Sequence, residues 1–187
     1  DMAREGLVRT TLDWAQWDDT YAFVEDGNEG YTVANLVSDT YKTLRLNLLL
    51  IVNNAGRVAA GGTYDLERDA PAALPEPLVR DVTAGAGKGL AGFVGTSEGP
   101  LLMAARPILT SSAEGPSRGT MIMGRLISSN ELARLAGVLG LDLALTPLAS
   151  STQGFAYSAD VYIAPIDGEQ VRGCLLVRDV GGAPLFA

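Results

Sequence analysis

The apolar positions of the chain change their period several times, and each change marks an element. From residue 3 to 25 they recur at helical spacing: Leu7, Trp14, Trp17, Tyr21 and Val24 form one stripe. Asp13, Gln16 and Asp19 fall off that stripe, and Asp18 sits at its margin. The segment Glu25-Asp26-Gly27-Asn28-Glu29-Gly30 ends this predicted helix, with glycines free to turn left-handed. A second helix is predicted from about Thr32 to Thr43. The period then shortens. Leu46 to Val52 is an almost unbroken apolar run, Asn53-Asn54-Ala55-Gly56 is a turn, and Val58 begins a returning strand. Residues 70–89 hold Pro71, Pro75 and Pro77 with Gly85, Gly87 and Gly89, and read as a long loop crossing one face of the sheet. A short helical piece is expected within it near Pro77 to Val82.

Two apolar runs dominate the second half, Leu101 to Leu109 and Thr120 to Leu126, with a polar Ser/Gly/Pro linker between them. They predict two antiparallel strands, the first covered on both faces or lining a cavity. Gly89 to Gly95 is a short strand or loop edge before them, and Ser97-Glu98-Gly99 is a turn. Ser128-x-x-Glu131 is a capping box opening a helix to about Val138, which Gly140 stops. Leu141 to Pro147 alternates and predicts a strand. Residues 149–154 link to a last hairpin, Val161 to Ile166 and Val171 to Val177 around a turn at Asp167-Gly168-Glu169. Short hairpins predict antiparallel pairing. The expected fold class is α+β: N-terminal helices packed on a mostly antiparallel sheet of five or more strands, the plan of PAS-like sensors. One domain is expected over residues 1–187, with helices at 1–45, the core at 46–148 and the hairpin at 149–187.

Composition narrows the chemistry. The net charge is -8, which argues against nucleic acid, since phosphate binding needs clustered Lys and Arg. There is no histidine, so Ser-His-Asp and Cys-His catalysis and His-liganded metal sites are excluded. The single cysteine, Cys174, excludes a disulfide framework and reads as a small buried apolar residue. No cofactor is expected. Gly85-x-Gly87-x-Gly89 neither follows a clear strand nor opens a convincing helix, so it is not read as a phosphate loop. The carboxylate pairs Asp18/Asp19 and Glu25/Asp26 lie on helix surfaces without a pocket for acid-base work.

Three features remain as candidate binding chemistry. Arg106 and Arg125 each interrupt an apolar strand, and a buried charge needs a partner. That partner is either a carboxylate of the chain, with Asp18 and Asp65 as candidates, or an anionic ligand held by bidentate hydrogen bonds. Met103, Met121 and Met123 either line an adaptable pocket or fill the core. Trp14-x-x-Trp17-Asp18-x-x-Tyr21 either frames a ligand wall or packs the helix on its core or on a second copy. Arg106 and Arg125 as anion contacts, with Tyr64 and Met103 as walls, form the candidate site. Sheet faces alternate, so not all four can reach one pocket.

Several segments together resemble the fourth class of CHASE domains, sensors attached to cyclases and histidine kinases. They are Asp13-Trp14-Ala15-Gln16-Trp17-Asp18-Asp19-Thr20-Tyr21-Ala22-Phe23, then Tyr31, Asn35 and Leu36, Leu46-Asn47-Leu48, and Gly56-Arg57-Val58. The strongest part is Ala104-Ala105-Arg106-Pro107-Ile108-Leu109 with Gly115-Pro116-Ser117-Arg118-Gly119 and Met123-Gly124-Arg125-Leu126. The resemblance covers residues 7–148 and departs at Asn53-Asn54, where such domains often carry Asp. It implies a periplasmic or extracellular input domain that senses rather than catalyses. It also implies membrane helices before residue 1 and after residue 187, and an output that is a diguanylate cyclase, a cyclic-di-GMP phosphodiesterase or a histidine kinase. A small-molecule ligand between the sheet and the segment 70–95 and a symmetric dimer are the partners expected. The Asp-Met start and Leu-Phe-Ala end read as the ends of a fragment.

Overall fold

A computed structural model describes residues 2–84, 86, 89–96, 99–145, 161–165 and 171–186. Four helices come first: α1 (Met2–Ala15), α2 (Asp18–Asp26), α3 (Glu29–Asn35) and α4 (Ser38–Leu44). The main sheet is built from β1 (Leu48–Asn53), β2 (Val58–Asp65), β3 (Ala70–Ala72), β4 (Ala91–Thr96), β5 (Gly99–Pro107) and β6 (Gly119–Leu126). Helix α5 (Glu76–Thr83) lies between β3 and β4, and α6 (Ser129–Leu139) follows β6. Further on come β7 (Val161–Pro165), β8 (Val171–Leu175), β9 (Val177–Arg178) and β10 (Pro184–Phe186). The six strands run in the order β3-β2-β1-β6-β5-β4 with every neighbouring pair antiparallel. This is the expected α+β, PAS-like architecture.

The unbroken apolar runs have a direct cause: their strands are covered on both faces. Leu49 and Ile51 of β1, Leu102 and Ala104 of β5 and Met121 and Met123 of β6 join Leu7, Phe23, Tyr31 and Tyr41 in one cluster beneath the helical layer. Leu48, Leu50, Leu101, Met103, Ala105 and Ile122 join Val82 of α5 in a second cluster on the opposite face. So the segment after β3 does cross one face of the sheet. The expected loop of residues 70–89 begins with what its prolines concealed, the three-residue edge strand β3 paired with β2.

Two glycines allow the strands to approach. A Cβ on Gly61 would stand 2.0 Å from the Leu49 carbonyl oxygen, and one on Gly119 2.2 Å from that of Val52. In the 53–56 turn, the Asn53 side chain accepts from the N–H groups of Ala55 and Arg57.

The single helix expected over 3–25 is two helices. Trp17 is extended (φ -101°, ψ 129°), and α2 restarts with Tyr21 N–H donating to the Trp17 carbonyl. The Ala15 carbonyl, left without a helical donor, accepts from Leu109 N–H of the β5–β6 connection at 3.0 Å. The buried stripe of α1 is Leu7, Thr11 and Ala15. The helix expected over 32–43 is also split, at Leu36–Val37.

The strand expected over Leu141–Pro147 does not form within 141–145. The β4 edge is occupied by the C-terminal segment, where Phe93 bridges Asp179 in parallel and accepts from Val180 N–H at 2.9 Å. The β7–β8 hairpin pairs antiparallel as expected, Val161 opposite Leu175. Residues 97–98, 146–160 and 166–170, with the turns, strand end and linker expected there, lie outside the described residues, as do Gly85, Gly87 and the side chain of Cys174.

Candidate functional site

A groove of about 830 Å³ opens at the end of the sheet where β1 begins and β2, β4 and β6 end. One wall is the segment from Ala72 to Asp81, and the other is the first turn of α6. Leu48, Leu78, Leu101 and Leu126 form its apolar floor. Its rim is charged, with Arg45, Arg68 and Arg134 against Asp65, Glu67, Asp81 and Glu131. An apolar floor under a few convergent polar groups is the usual form of a small-molecule site.

Local chain chemistry places each rim group. Asp65 closes the turn after β2. Its carboxylate accepts from the N–H groups of Glu67 and Arg68 and from the Arg68 guanidinium at 3.0 Å, and the Arg68 N–H does most to hold its pKa below the usual value. Arg45 follows α4 in a left-handed conformation (φ 53°), which turns it out of the helix. Ser128 caps α6 by accepting from Glu131 N–H at 3.2 Å. Its hydroxyl also donates to Glu67 across the groove mouth at 3.1 Å. The Glu131 carboxylate takes two bonds from Arg134, at 2.7 and 3.0 Å, and one from Arg45 at 3.1 Å. These arginines, Arg134 foremost, hold the Glu131 carboxyl below its usual pKa.

Of the four residues singled out in the sequence, Tyr64 lines this groove. Its hydroxyl is turned away, donating to Asp69 at 2.6 Å, and its ring stacks on Tyr41 at 5.2 Å. Met103 is 1% exposed and packs in the cluster under α5. Arg106 donates to the backbone carbonyls of Ala105 and Leu90. Arg125 donates to the Leu44 carbonyl at 3.1 Å. Neither arginine pairs with the carboxylates proposed for it: Asp18 accepts from Ser111, and Asp65 from its own turn. Arg106 lies opposite Met121 and Arg125 opposite Leu102. They are therefore four positions apart along the strand pair, roughly 13 Å at 3.3 Å per residue. The four side chains do not converge on one pocket.

The residues that do converge, Arg45, Arg68, Glu131 and Arg134, were not singled out as ligand contacts. One signal was present: Glu131 and Arg134 stand three apart in the first turns of a capped helix, where they share a face. Within the Trp14–Tyr21 motif, Tyr21 reaches the β5–β6 connection, donating to the Pro116 carbonyl, and Trp17 stays partly exposed. Trp14 meets Trp17 edge-on at 6.1 Å, and Phe23 stacks on Tyr31 at 4.6 Å. Among the described residues no group of three His, Cys, Asp or Glu side chains is placed to hold a metal. Among them, too, no helix is long and apolar enough to cross a membrane.

A helical layer on one face of an antiparallel sheet, with a crossing segment on the other that walls the groove at the sheet's end, is a PAS-like architecture. The sequence model of the CHASE4 domain matches residues 1–146, and the chain belongs to that family of sensor domains. It is 29% identical over 189 residues to the Methanogenesis regulatory histidine kinase FilI of Methanothrix harundinacea (strain 6Ac). That match covers 95% of this chain and 21% of the relative, so the chain spans about a fifth of that protein. Among solved structures, the extracellular domain of vpHK1S-Z8, provisionally assigned as a histidine kinase, superposes with a TM-score of 0.59 at 13% identity. The superposition covers 99% of this chain and 88% of that one, and it shows the same fold.

Proposed function

We propose that this chain is the extracellular input domain of a membrane-anchored signalling protein, and that its signal is a small molecule bound in the groove at the end of the sheet. The observation that carries this reading is the groove itself, with an apolar floor of core leucines and a rim of opposed charges. The family supports the sensing role. The matched relative, a histidine kinase by name, supports a kinase as output over a cyclase or phosphodiesterase. Binding would act by favouring one arrangement of the groove walls over another.

Native mass spectrometry and a thermal-shift screen of metabolites test this. A ligand that raises the melting temperature in a dose-dependent way, and does so less in Ala73→Trp, which fills the groove, supports the reading. A ligand that stabilises both proteins equally binds elsewhere. An empty protein unmoved by the whole screen overturns small-molecule sensing.

A second reading has one observation behind it. Trp17 is 40% exposed at the break between α1 and α2. On this reading the helical layer meets a protein partner or a second copy, forming the symmetric dimer that paired outputs need. Loss of association in Trp17→Ser, measured by analytical ultracentrifugation, would favour it.

A further inference from the structure

We propose that the α6 end of the groove is an anion subsite, in which Arg45 and Arg134, backed by Arg125, take the carboxylate of a small molecule whose apolar part lies on the leucine floor. This rests on the groove being the ligand site. Two guanidinium groups bond one carboxylate there, and a third lies nearby. Arg45 and Arg134 both bond Glu131, and Arg125 lies within electrostatic reach of Glu131 and Arg45. A guanidinium has five N–H donors. The bonds from Arg45 and Arg134 to Glu131 use one and two of them. Both side chains are about half exposed, at 59% and 49%, and both line the groove. Behind them the Arg125 Nε is buried without an acceptor among the described residues. Burial and the Arg45 charge both work against the charge on Arg125, and Glu131 alone works for it. Around Glu131 itself guanidinium groups outnumber carboxylates, and Arg45 and Arg134 face the groove, where a further anion can enter.

The neighbouring rim sets the class of anion. Glu67 accepts from Ser128 beside the α6 cap, and Asp65 closes the adjoining turn. Two carboxylates so near disfavour a dianion such as phosphate. A single carboxylate fits, since it matches a guanidinium in charge and in bidentate geometry.

The test compares hexanoate with hexanamide, which share size and chain but differ in charge, by calorimetry and thermal shift on the purified chain at matched ionic strength. Hexanoate should bind and hexanamide should not. Arg45→Gln and Arg134→Gln should each weaken hexanoate by about tenfold, as expected for loss of a charge-assisted hydrogen bond. Arg80→Gln, on α5 outside the groove lining, should leave it unchanged. Shifts of the guanidinium Nε signals of Arg45 and Arg134 on titration give a readout that needs no variant. Equal response to the two probes, no response to hexanoate, or unaltered binding in both glutamine variants overturns the subsite. A neutral metabolite that stabilises the wild type but not Ala73→Trp overturns the subsite while leaving the sensing groove intact. A screen in which nothing binds overturns the groove reading itself.

Discussion

Asp18 and Ser111, 93 positions apart, share two hydrogen bonds, from the Ser111 N–H at 2.9 Å and from its hydroxyl at 2.7 Å. They tie the break between α1 and α2 to the connection between β5 and β6. Arg118 strengthens the same junction: it pairs with Glu25, donates to the Tyr21 carbonyl and lies 3.9 Å over the Tyr21 ring. Helix α2 is thus fastened to the connection between the central strands, through bonds that reach across the chain.

The Asp18 bonds carry a pH dependence. The Ser111 N–H, and then its hydroxyl, hold the Asp18 carboxyl below its usual pKa in the folded state. A carboxylate depressed on folding adds stability above its unfolded pKa of about 3.9 and loses it as pH falls through the lower folded value. Asp18→Ala is therefore expected to lower the melting temperature most at pH 7. The gap from wild type should narrow as the pH falls below the unfolded value and through the lower folded one. Thermal denaturation between pH 7 and pH 2.5 checks this, and a gap that widens in acid contradicts it.

Gly61 is required by its backbone, and Gly62 is not. Gly61 has φ +96° and would place a Cβ against the Leu49 carbonyl, whereas nothing lies within 4 Å of the corresponding position at Gly62. Gly61→Ala should cost about 3 kcal/mol or more, and Gly62→Ala under about 1 kcal/mol. Urea unfolding of the two variants compares them directly.

Met123 is fully buried in the cluster beneath the helices. Met123→Ala should cost about 2–5 kcal/mol through lost burial and the cavity left behind. Val33, 74% exposed, is the matched control. Val33→Ala should change stability by no more than about 0.5 kcal/mol.

Arg106 ties down the segment before β4. Its guanidinium donates to the Leu90 carbonyl, which also accepts from Ala105 N–H at 2.8 Å. Arg106→Ala should speed amide exchange at Ala105 on the order of tenfold. It should leave the hexanoate response unchanged, because Arg106 does not line the groove.

The sheet was legible in the sequence because strands covered on both faces write themselves as unbroken apolar runs, as at Leu48–Val52 and Leu101–Ala105. The break at Trp17 was not. No glycine or proline marks it, and the helical stripe passes through it from Trp14 to Tyr21. What stabilises the break is the Leu109 N–H on the Ala15 carbonyl, a bond between distant segments. β3 was hidden by Pro71, which is tolerated because β3 lies at the sheet edge. The candidate site was legible only at Tyr64, because its charged groups come from α4, the β2–β3 turn and α6 and meet only after folding. Arg106 and Arg125 stood out for a sound reason, charge inside apolar runs. Each donates to backbone carbonyls, Arg106 to those of Ala105 and Leu90 and Arg125 to that of Leu44, and no local pattern announces such partners.

The groove draws its floor and its rim from different stocks of residues. Leu48 and Leu101 belong to the core, where truncation costs about 2–5 kcal/mol. Arg45 stands at the end of α4, Glu67 and Arg68 in the turn after β2, and Arg134 on α6, outside both core clusters. On the proposed reading of the groove, substitutions at the rim would change what the domain recognises while the scaffold beneath stays the same, so one architecture could serve as a receiver for unrelated chemical messages.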